Sequence, residues 1–148
     1  TDYFIYQMTI SGSSVTKNDA FSFTTANATD IDKATYYSFS VEYPILIYAA
    51  GNNLYQYNYE SKVCKVVKTY PGEITYADFD WRSRGELDIV VCTYDEAAEA
   101  DKKGTIYKYT MGQDLNIVPI MTGPKLDTEF VYNTPLKVKK IEYRSSSR

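Results

Sequence analysis

The sequence contains no histidine, only two cysteines among its 148 residues, and no long hydrophobic run. Without histidine, the chain cannot build a Ser-His-Asp or Cys-His catalytic arrangement, or a histidine-ligated zinc site, from its own residues. Its longest apolar runs are about six residues, whereas a membrane-spanning helix needs roughly 20. We therefore expect no transmembrane segment and no signal peptide within the chain.

Two cysteines are too few for a disulfide scaffold. Cys64 and Cys92 each lie in an apolar run, which favours two small buried hydrophobic side chains. The sequence does not decide whether these two cysteines form a disulfide, and it therefore does not identify the redox compartment. The formal net charge of -3 argues against a nucleic-acid partner and against a polybasic membrane anchor.

Tyrosine is the residue in excess. The chain has 16 tyrosines, 6 phenylalanines and 1 tryptophan, and 44% of its residues are hydrophobic, which is enough to bury a core. Aromatic and β-branched side chains suit a pleated, half-buried surface, so the composition predicts an all-β protein. The length predicts one domain, a single all-β unit over residues 1–148.

Three short patterns recur in the same order along the chain, which indicates an internal repeat. The pattern at 5–8 (IYQM) recurs at 54–57 (LYQY) and 106–109 (IYKY). The pattern at 35–40 (TYYSFS) recurs at 75–80 (TYADFD) and, more weakly, at 139–144 (KKIEYR). The pattern at 45–48 (ILIY) recurs at 89–92 (IVVC).

Residues 44–81 are typical of four antiparallel strands, joined by turns at 51–53, 60–61 and 71–72. The first two strands carry large side chains on both faces, which indicates a sheet covered on both sides. A repeating four-stranded sheet of this kind is typical of a β-propeller blade. We predict a partial β-propeller of about two and three-quarter blades, at residues 3–41 (incomplete), 44–81 and 87–144.

A β-sandwich is the alternative fold, because many short strands in a chain of this length also fit that architecture. Repetition of strand order favours the propeller. The third blade has two long connections, Asp95–Gly104 and Met121–Pro135. Since a propeller needs more blades to close, we expect the first and last blades to expose apolar faces that promote self-association.

Residues 77–91 (ADFDWRSRGELDIVV) resemble the FG-GAP repeat of integrin-type propellers, in which acidic residues in the loop between two blades bind calcium. On that resemblance Asp78, Asp80 and Asp88 are the ligand positions, since a hard cation takes several oxygen ligands. The loop is longer than in that family, and Arg82 stands where a further acid is expected. We therefore expect no bound calcium and no other cofactor, with Arg82 close to one of these carboxylates.

Functional residues concentrate on loops that a rigid scaffold holds, so we place the contact surface on the two long connections of the third blade. Tyr94, Phe130 and Tyr132 are the predicted contacts, because aromatic rings stack on sugars and anchor protein partners. Trp81 and Arg84, at the opposite rim, form the competing patch. The tyrosines inside strands are expected to pack between blades.

Residues 51–58 (GNNLYQYN) resemble a hairpin of secreted bacterial propellers, and the Tyr-, Asn- and Asp-rich texture of the chain is similar to the C-terminal propeller region of PKD-like surface lipoproteins of Bacteroidota. The resemblance implies an exported protein at the cell surface or in the periplasm of a Gram-negative bacterium, with any membrane anchor outside this chain. It implies a non-catalytic binding or scaffolding module for a glycan or protein partner.

Two other functions stay as alternatives. One is part of a propeller hydrolase, with Asp78 and Asp80 as a carboxylate pair. The other is a calcium-binding integrin-type propeller.

Overall fold

The structure, a computed structural model, describes residues 5–23, 27–40, 44–81, 87–112 and 125–142. These residues form an all-β fold, as the composition predicts. The strands are β1 (Ile5–Ser11), β2 (Ser14–Phe23), β3 (Tyr36–Phe39), β4 (Ile45–Ala50), β5 (Asn53–Asn58), β6 (Val63–Thr69), β7 (Glu73–Trp81), β8 (Leu87–Tyr94), β9 (Gly104–Gly112) and β10 (Lys125–Thr134). Short 3-10 turns lie at Ile31–Lys33 and Ala100–Lys102. None of the described helical turns is long or apolar enough to cross a membrane.

The described strands form three antiparallel sheets. β1 and β2 pair as a two-stranded hairpin. The first four-stranded sheet, called the first sheet, has the order β3-β4-β5-β6, and the second sheet has the order β7-β8-β9-β10. Each four-stranded sheet is a meander, in which every strand pairs with its neighbour in sequence. β4 and β8 lie in different sheets.

The predicted grouping of strands within 44–81 and within 87–144 is wrong by one strand. The prediction makes β7 the fourth strand of the sheet that contains β4, β5 and β6. In the structure β7 pairs with β8, from Glu73 opposite Tyr94 to Trp81 opposite Leu87. In the same way, β3 opens the first sheet by pairing with β4. The reason lies at Gly72, where any side chain would collide with the backbone of Tyr94. Pro71-Gly72 is therefore a close crossing between two sheets and not a hairpin turn.

The crossing is held by the turn that joins β4 to β5. The Tyr70 amide donates to the Asn52 carbonyl at 2.9 Å, and Asn52 Nδ2 donates to the Tyr70 carbonyl at 3.0 Å. The Ile74 amide donates to the Gly51 carbonyl at 2.9 Å. Gly51 has a φ of 61°, a conformation that glycine adopts without steric cost in a two-residue hairpin. These bonds determine where β7 begins.

The internal repeat is present in the pairing of the two four-stranded sheets. Corresponding cross-strand rows are Ser38–Ile47–Gln56 in the first sheet and Asp78–Val90–Lys108 in the second. In the first sheet the row runs from the pattern at 35–40 to the pattern at 54–57. In the second sheet the equivalent row runs from the pattern at 75–80 to the pattern at 106–109. The same rows align residues 46–49 with residues 89–92. The sequence pattern instead matches residues 45–48 with 89–92, so the two alignments differ by one residue.

Because side chains alternate across a strand, the repeat makes the two faces of one sheet equivalent to those of the other. Face A carries Tyr36, Ser38, Ile47, Ala49, Leu54 and Gln56 in the first sheet, and Tyr76, Asp78, Val90, Cys92, Ile106, Lys108, Phe130 and Tyr132 in the second. Face B carries Tyr37, Phe39, Leu46, Tyr48, Tyr55 and Tyr57 in the first sheet, and Ala77, Phe79, Ile89, Val91, Tyr107 and Tyr109 in the second.

The main hydrophobic core lies between face A of the first sheet and face B of the second. Ile47 and Leu54 pack into one cluster with Ile89, Val91 and Tyr109, and all of these side chains are buried. Full burial of a Leu, Ile or Val side chain contributes about 1.5–3 kcal/mol each. The core therefore joins the two sheets into one packed unit.

Hydrogen bonds join the opening strands of the two sheets, β3 and β7. Tyr36 Oη donates to the Thr75 carbonyl at 2.7 Å, and Trp81 Nε1 donates to Ser38 Oγ at 2.9 Å. The repeat-equivalent tyrosine, Tyr76, makes the same kind of bond one step later, donating to the Ile141 carbonyl at 3.3 Å. Residues 137–142 thus lie along β7 much as β7 lies along β3.

The centre of face B of the first sheet is covered by the segment 27–34, whereas Tyr37 and Phe39 on β3 are exposed. Ala28 and Ile31 are buried against it. Tyr48 Oη donates to the Thr29 carbonyl at 2.6 Å, and Tyr55 Oη donates to Asp30 Oδ2 at 3.0 Å. Tyr55 and Lys33 lower the pKa of Asp30, because both donate hydrogen bonds to its carboxylate. Tyr55 and Tyr57 are packing residues, but they pack under the segment 27–34 and not between two blades as predicted.

The two cysteines are free thiols in different sheets. Cys92 is buried, as predicted. Cys64 is half-buried, with its Sγ 3.3 Å from Tyr48 Oη.

We expect Gly72→Ala to lower the free energy of unfolding by about 2–4 kcal/mol, because a Cβ overlaps the backbone of Tyr94 and one of the two segments must move. Gly51→Ala is the control. It has no neighbour within 4 Å but a positive φ, so it should cost only about 1 kcal/mol. Urea denaturation measures both. A Gly72→Ala loss no larger than that of Gly51→Ala would contradict the crowded crossing.

We expect stability to fall at alkaline pH. Burial raises the pKa of Tyr109 from 10.0 to about 12 and that of Cys92 from 9.0 to about 11. The folded state therefore keeps these protons at pH values where the unfolded chain releases them. The stabilisation is complete below about pH 9 and is lost progressively towards about pH 12.

Urea unfolding at pH about 8 and about 11 measures this loss. Tyr109→Phe removes one titrating group and should reduce the fall above pH about 10. An alkaline fall of the same size in Tyr109→Phe and in the unmodified chain would show that Tyr109 does not contribute.

Candidate functional site

The two predicted aromatic contacts on β10, Phe130 and Tyr132, form a stacked pair. Their ring centroids are 6.2 Å apart and the ring planes differ by 6°. Phe130 lies opposite Lys108 and Tyr132 opposite Ile106, so both rings are on face A of the second sheet. Phe130 is 50% and Tyr132 53% exposed. The pair is therefore an exposed aromatic cluster on this sheet face.

The expected long connection from Met121 to Pro135 is for the most part a strand. β10 covers Lys125–Thr134 and pairs with β9 along that length. Residues 113–124 lie outside the described residues. Phe130, Val131 and Tyr132 have the aromatic and β-branched side chains that suit a strand, and β10 is the fourth strand that a sheet beginning at β7 requires. The predicted contacts thus lie on a sheet face and not on a loop.

Tyr94, the third predicted contact, is the last residue of β8 and is half-buried. It lies opposite Gly104 in the ladder, where a side chain would collide with the backbone of Leu136. Lys137 Nζ is 4.9 Å from the centre of the Tyr94 ring, a cation–π distance. Tyr94 therefore contacts other residues of the chain at the end of face A.

The predicted connection between Tyr94 and Gly104 is a self-contained loop. Its ends are joined by a bond from the Asp95 amide to the Lys103 carbonyl at 2.8 Å. Asp95 Oδ1 accepts a bond from the Ala97 amide at 3.0 Å, and Lys103 Nζ lies 3.1 Å from Glu96 Oε1. Exposed ion pairs of this type contribute little to stability. The loop is ordered by its own backbone bonds.

The three predicted calcium ligands, Asp78, Asp80 and Asp88, lie on one face of the hairpin β7–β8. Asp80 and Asp88 are directly opposite each other in the ladder, while Asp78 is opposite Val90. The segment between them therefore joins two strands of one sheet, whereas in the FG-GAP pattern it joins two blades.

Hydrogen bonds engage two of these carboxylates. Asp78 Oδ1 accepts a bond from the Phe79 amide at 3.0 Å, and Asp88 Oδ1 accepts one from Thr110 Oγ1 at 3.3 Å. In the part of the chain that the structure describes, no group of three Asp, Glu, Cys or His side chains is arranged to hold a metal ion. Arg82 lies outside the described residues, so its predicted contact with these acids stays a prediction.

Of the competing patch, Trp81 is half-buried and packs against the core between the two sheets. Its indole nitrogen donates to Ser38. Arg84 lies outside the described residues. Trp81 is thus a packing residue of the interface between sheets.

Equivalent apolar positions on face A differ in exposure between the two sheets. Ile47 and Leu54 of the first sheet are 0% exposed, because the second sheet covers them. Their counterparts Val90 and Ile106 are only half-buried. Sequence reasoning did not single out these two residues, although their place in the repeat was the available signal. Together with the Phe130–Tyr132 pair they form an apolar surface that the described residues cover only in part.

We expect Asp80→Asn to raise the free energy of unfolding by about 0.2–1 kcal/mol, since like charges directly opposite each other destabilise a strand pair. The gain should shrink at high salt, because salt screens exposed charges. Asp101→Asn, in an exposed 3-10 turn, is the control and should leave stability unchanged. Urea denaturation at low and high salt makes the comparison. Stabilisation of the unmodified chain by added calcium, absent in Asp80→Asn, would contradict the expectation of no bound calcium.

No family model matches this sequence, and comparisons with curated proteins and with solved structures find no significant match.

Proposed function

We propose that this chain is a non-catalytic binding or scaffolding module that contacts a protein partner through face A of its second sheet. The observation that carries the proposal is the contrast between the two sheets. Face A is buried in the first sheet, whereas the same face of the second sheet presents the half-buried Val90 and Ile106 and the half-exposed Phe130 and Tyr132. A partner that covers this face gains free energy of binding, because each Å² of apolar area removed from water contributes roughly 25 cal/mol.

The chemistry of the surface favours a protein over a small ligand. The aromatic pair and Ile106 lie side by side on this face, Lys108 stands between Phe130 and Val90 in the ladder, and Asp78 and Asp80 lie exposed at its edge. An apolar centre with a polar rim is the usual anatomy of a protein interface, in which aromatic side chains are enriched.

For the fold we propose a propeller-like array of repeats. Its support is that face A of one sheet packs on face B of the next, with the same strand order and the same ladder rows in both sheets. A β-sandwich also packs two sheets face to face, but it does not require this repetition of register. The exported, cell-surface setting belongs to the same proposal, supported by the resemblance of residues 51–58 to hairpins of secreted bacterial propellers.

A glycan is the second candidate partner, because Phe130 and Tyr132 are exposed aromatic rings with nearly parallel planes and aromatic rings stack on sugars. Binding to immobilised polysaccharides that is lost in Tyr132→Ala and retained in Val131→Ala would favour this candidate over a protein.

Site-specific photo-cross-linking in the producing cells tests the protein contact. A benzophenone amino acid placed at position 130 should give covalent protein adducts. The control is position 131, whose side chain is 51% exposed, almost the same as the 50% of Phe130, but points to the opposite face of β10. Mass spectrometry identifies the adducts.

Equal adducts from both positions, or none from position 130, would contradict the proposal. A partner captured from position 130 alone would support it, whatever the identity of that partner.

A further inference from the structure

We propose that the chain associates with itself head to tail, with the β1–β2 hairpin of one copy docking on face A of the second sheet of another copy. The inference rests on the proposed function, because it names the occupant of the same surface. Two observations carry it: an exposed apolar hairpin face near one end of the chain, and an exposed apolar sheet face near the other.

The β1–β2 hairpin has one apolar and one polar face near its turn. Ile10 lies opposite Val15 in the ladder and Met8 lies opposite Lys17, so one face carries Lys17 together with three apolar residues, Met8, Ile10 and Val15. They are 63% (Met8), 73% (Ile10) and 61% (Val15) exposed. The other face carries Thr9 opposite Thr16. Three large apolar side chains exposed together on one hairpin face are the mark of a contact surface.

The repeat identifies this hairpin face as a face B. The pattern at 5–8 aligns with that at 54–57, which places Met8 at the position of Tyr57. Tyr57 belongs to face B of the first sheet, where it is buried. The hairpin therefore corresponds to the third and fourth strands of a repeat, β5 and β6, and presents its face B to solvent.

Face B is the surface that face A already binds within this chain. Face B of the second sheet, through Ile89, Val91 and Tyr109, covers Ile47 and Leu54 on face A of the first sheet. Face A of the second sheet repeats that pattern with Val90 and Ile106. A face B docked there would continue the existing packing by one more step.

The association has a direction. Residues 27–34 cover the centre of face B of the first sheet, where only Tyr37 and Phe39 on β3 stay exposed among the face B residues of β3–β5, and the first sheet covers face B of the second. Among the described residues, the hairpin is thus the repeat whose face B has its central side chains uncovered. An interface between two different surfaces is heterologous, and it builds rings when the rotation closes and open chains when it does not.

Sedimentation velocity over a wide range of protein concentrations tests the proposal. The unmodified full chain should sediment faster as its concentration rises. Ile10→Lys on the hairpin and Phe130→Lys on face A should each weaken association about tenfold or more, because each removes the burial of one large apolar side chain. The controls are Thr9→Lys and Val131→Lys, which place the same charge on the opposite faces of the same strands and should associate normally.

Mixing the two variants gives the decisive measurement. Ile10→Lys keeps an intact face A and Phe130→Lys keeps an intact hairpin, so equal amounts should form a one-to-one complex that grows no further. This recovery also shows that both variants are folded, which far-UV circular dichroism checks independently.

In sedimentation, three results would overturn the proposal: a monomer at all concentrations, normal self-association of Ile10→Lys alone, or no complex in the mixture. The cross-links from position 130 separate this inference from the proposed function. Adducts to a different protein, or a glycan bound at Tyr132, would overturn head-to-tail association. Adducts to another copy through residues 8–15 would support it.

Discussion

The packing of face A of the first sheet against face B of the second is the interaction on which the rest of the structure depends. It buries Ile47 and Leu54 under Ile89 and Val91, and it aligns β3 with β7 through the bond from Tyr36 to the Thr75 carbonyl. Because the two faces differ in composition, the contact has a direction that passes from one repeat to the next. The crossing at Pro71-Gly72 carries the chain from one of these packed sheets to the other.

The sequence predicts the elements of this fold better than their grouping. Alternating aromatic and β-branched residues locate the strands, and the turn at Gly51 is specified by local chemistry. Whether Pro71-Gly72 is a hairpin or a crossing is decided by the close approach of Gly72 to Tyr94, a contact between residues distant in sequence. No local pattern carries that information, so the sequence alone predicts the wrong sheet for β7.

For the candidate site, the residue types are readable in the sequence and their surroundings are not. Phe130 and Tyr132 stand out as aromatic side chains, yet their stacking depends on the alternation along β10 and on its pairing with β9. Val90 and Ile47 occupy equivalent positions in the repeat, and only the presence of a covering sheet makes one half-buried and the other fully buried.

The abundance of tyrosine has a physical basis in this packing. A tyrosine spans the distance between sheets with an apolar ring and ends in a hydroxyl that can bond to a backbone carbonyl. Tyr36, Tyr48 and Tyr76 each do so, to Thr75, Thr29 and Ile141. Phenylalanine would fill the same volume without fixing the relative position of the two segments.

The connection Asp95–Lys103 and the crossing at Pro71-Gly72 differ in how well they should tolerate the insertion of residues. The loop closes on itself through the Asp95–Lys103 bond, so its two ends stay adjacent whatever lies between them. Foreign peptides, epitope tags or whole inserted domains should therefore be accommodated there. The crossing has no such freedom, because Gly72 is already in contact with the backbone of Tyr94. Variation in length between relatives of this chain should accordingly accumulate after β8 and be excluded between β6 and β7.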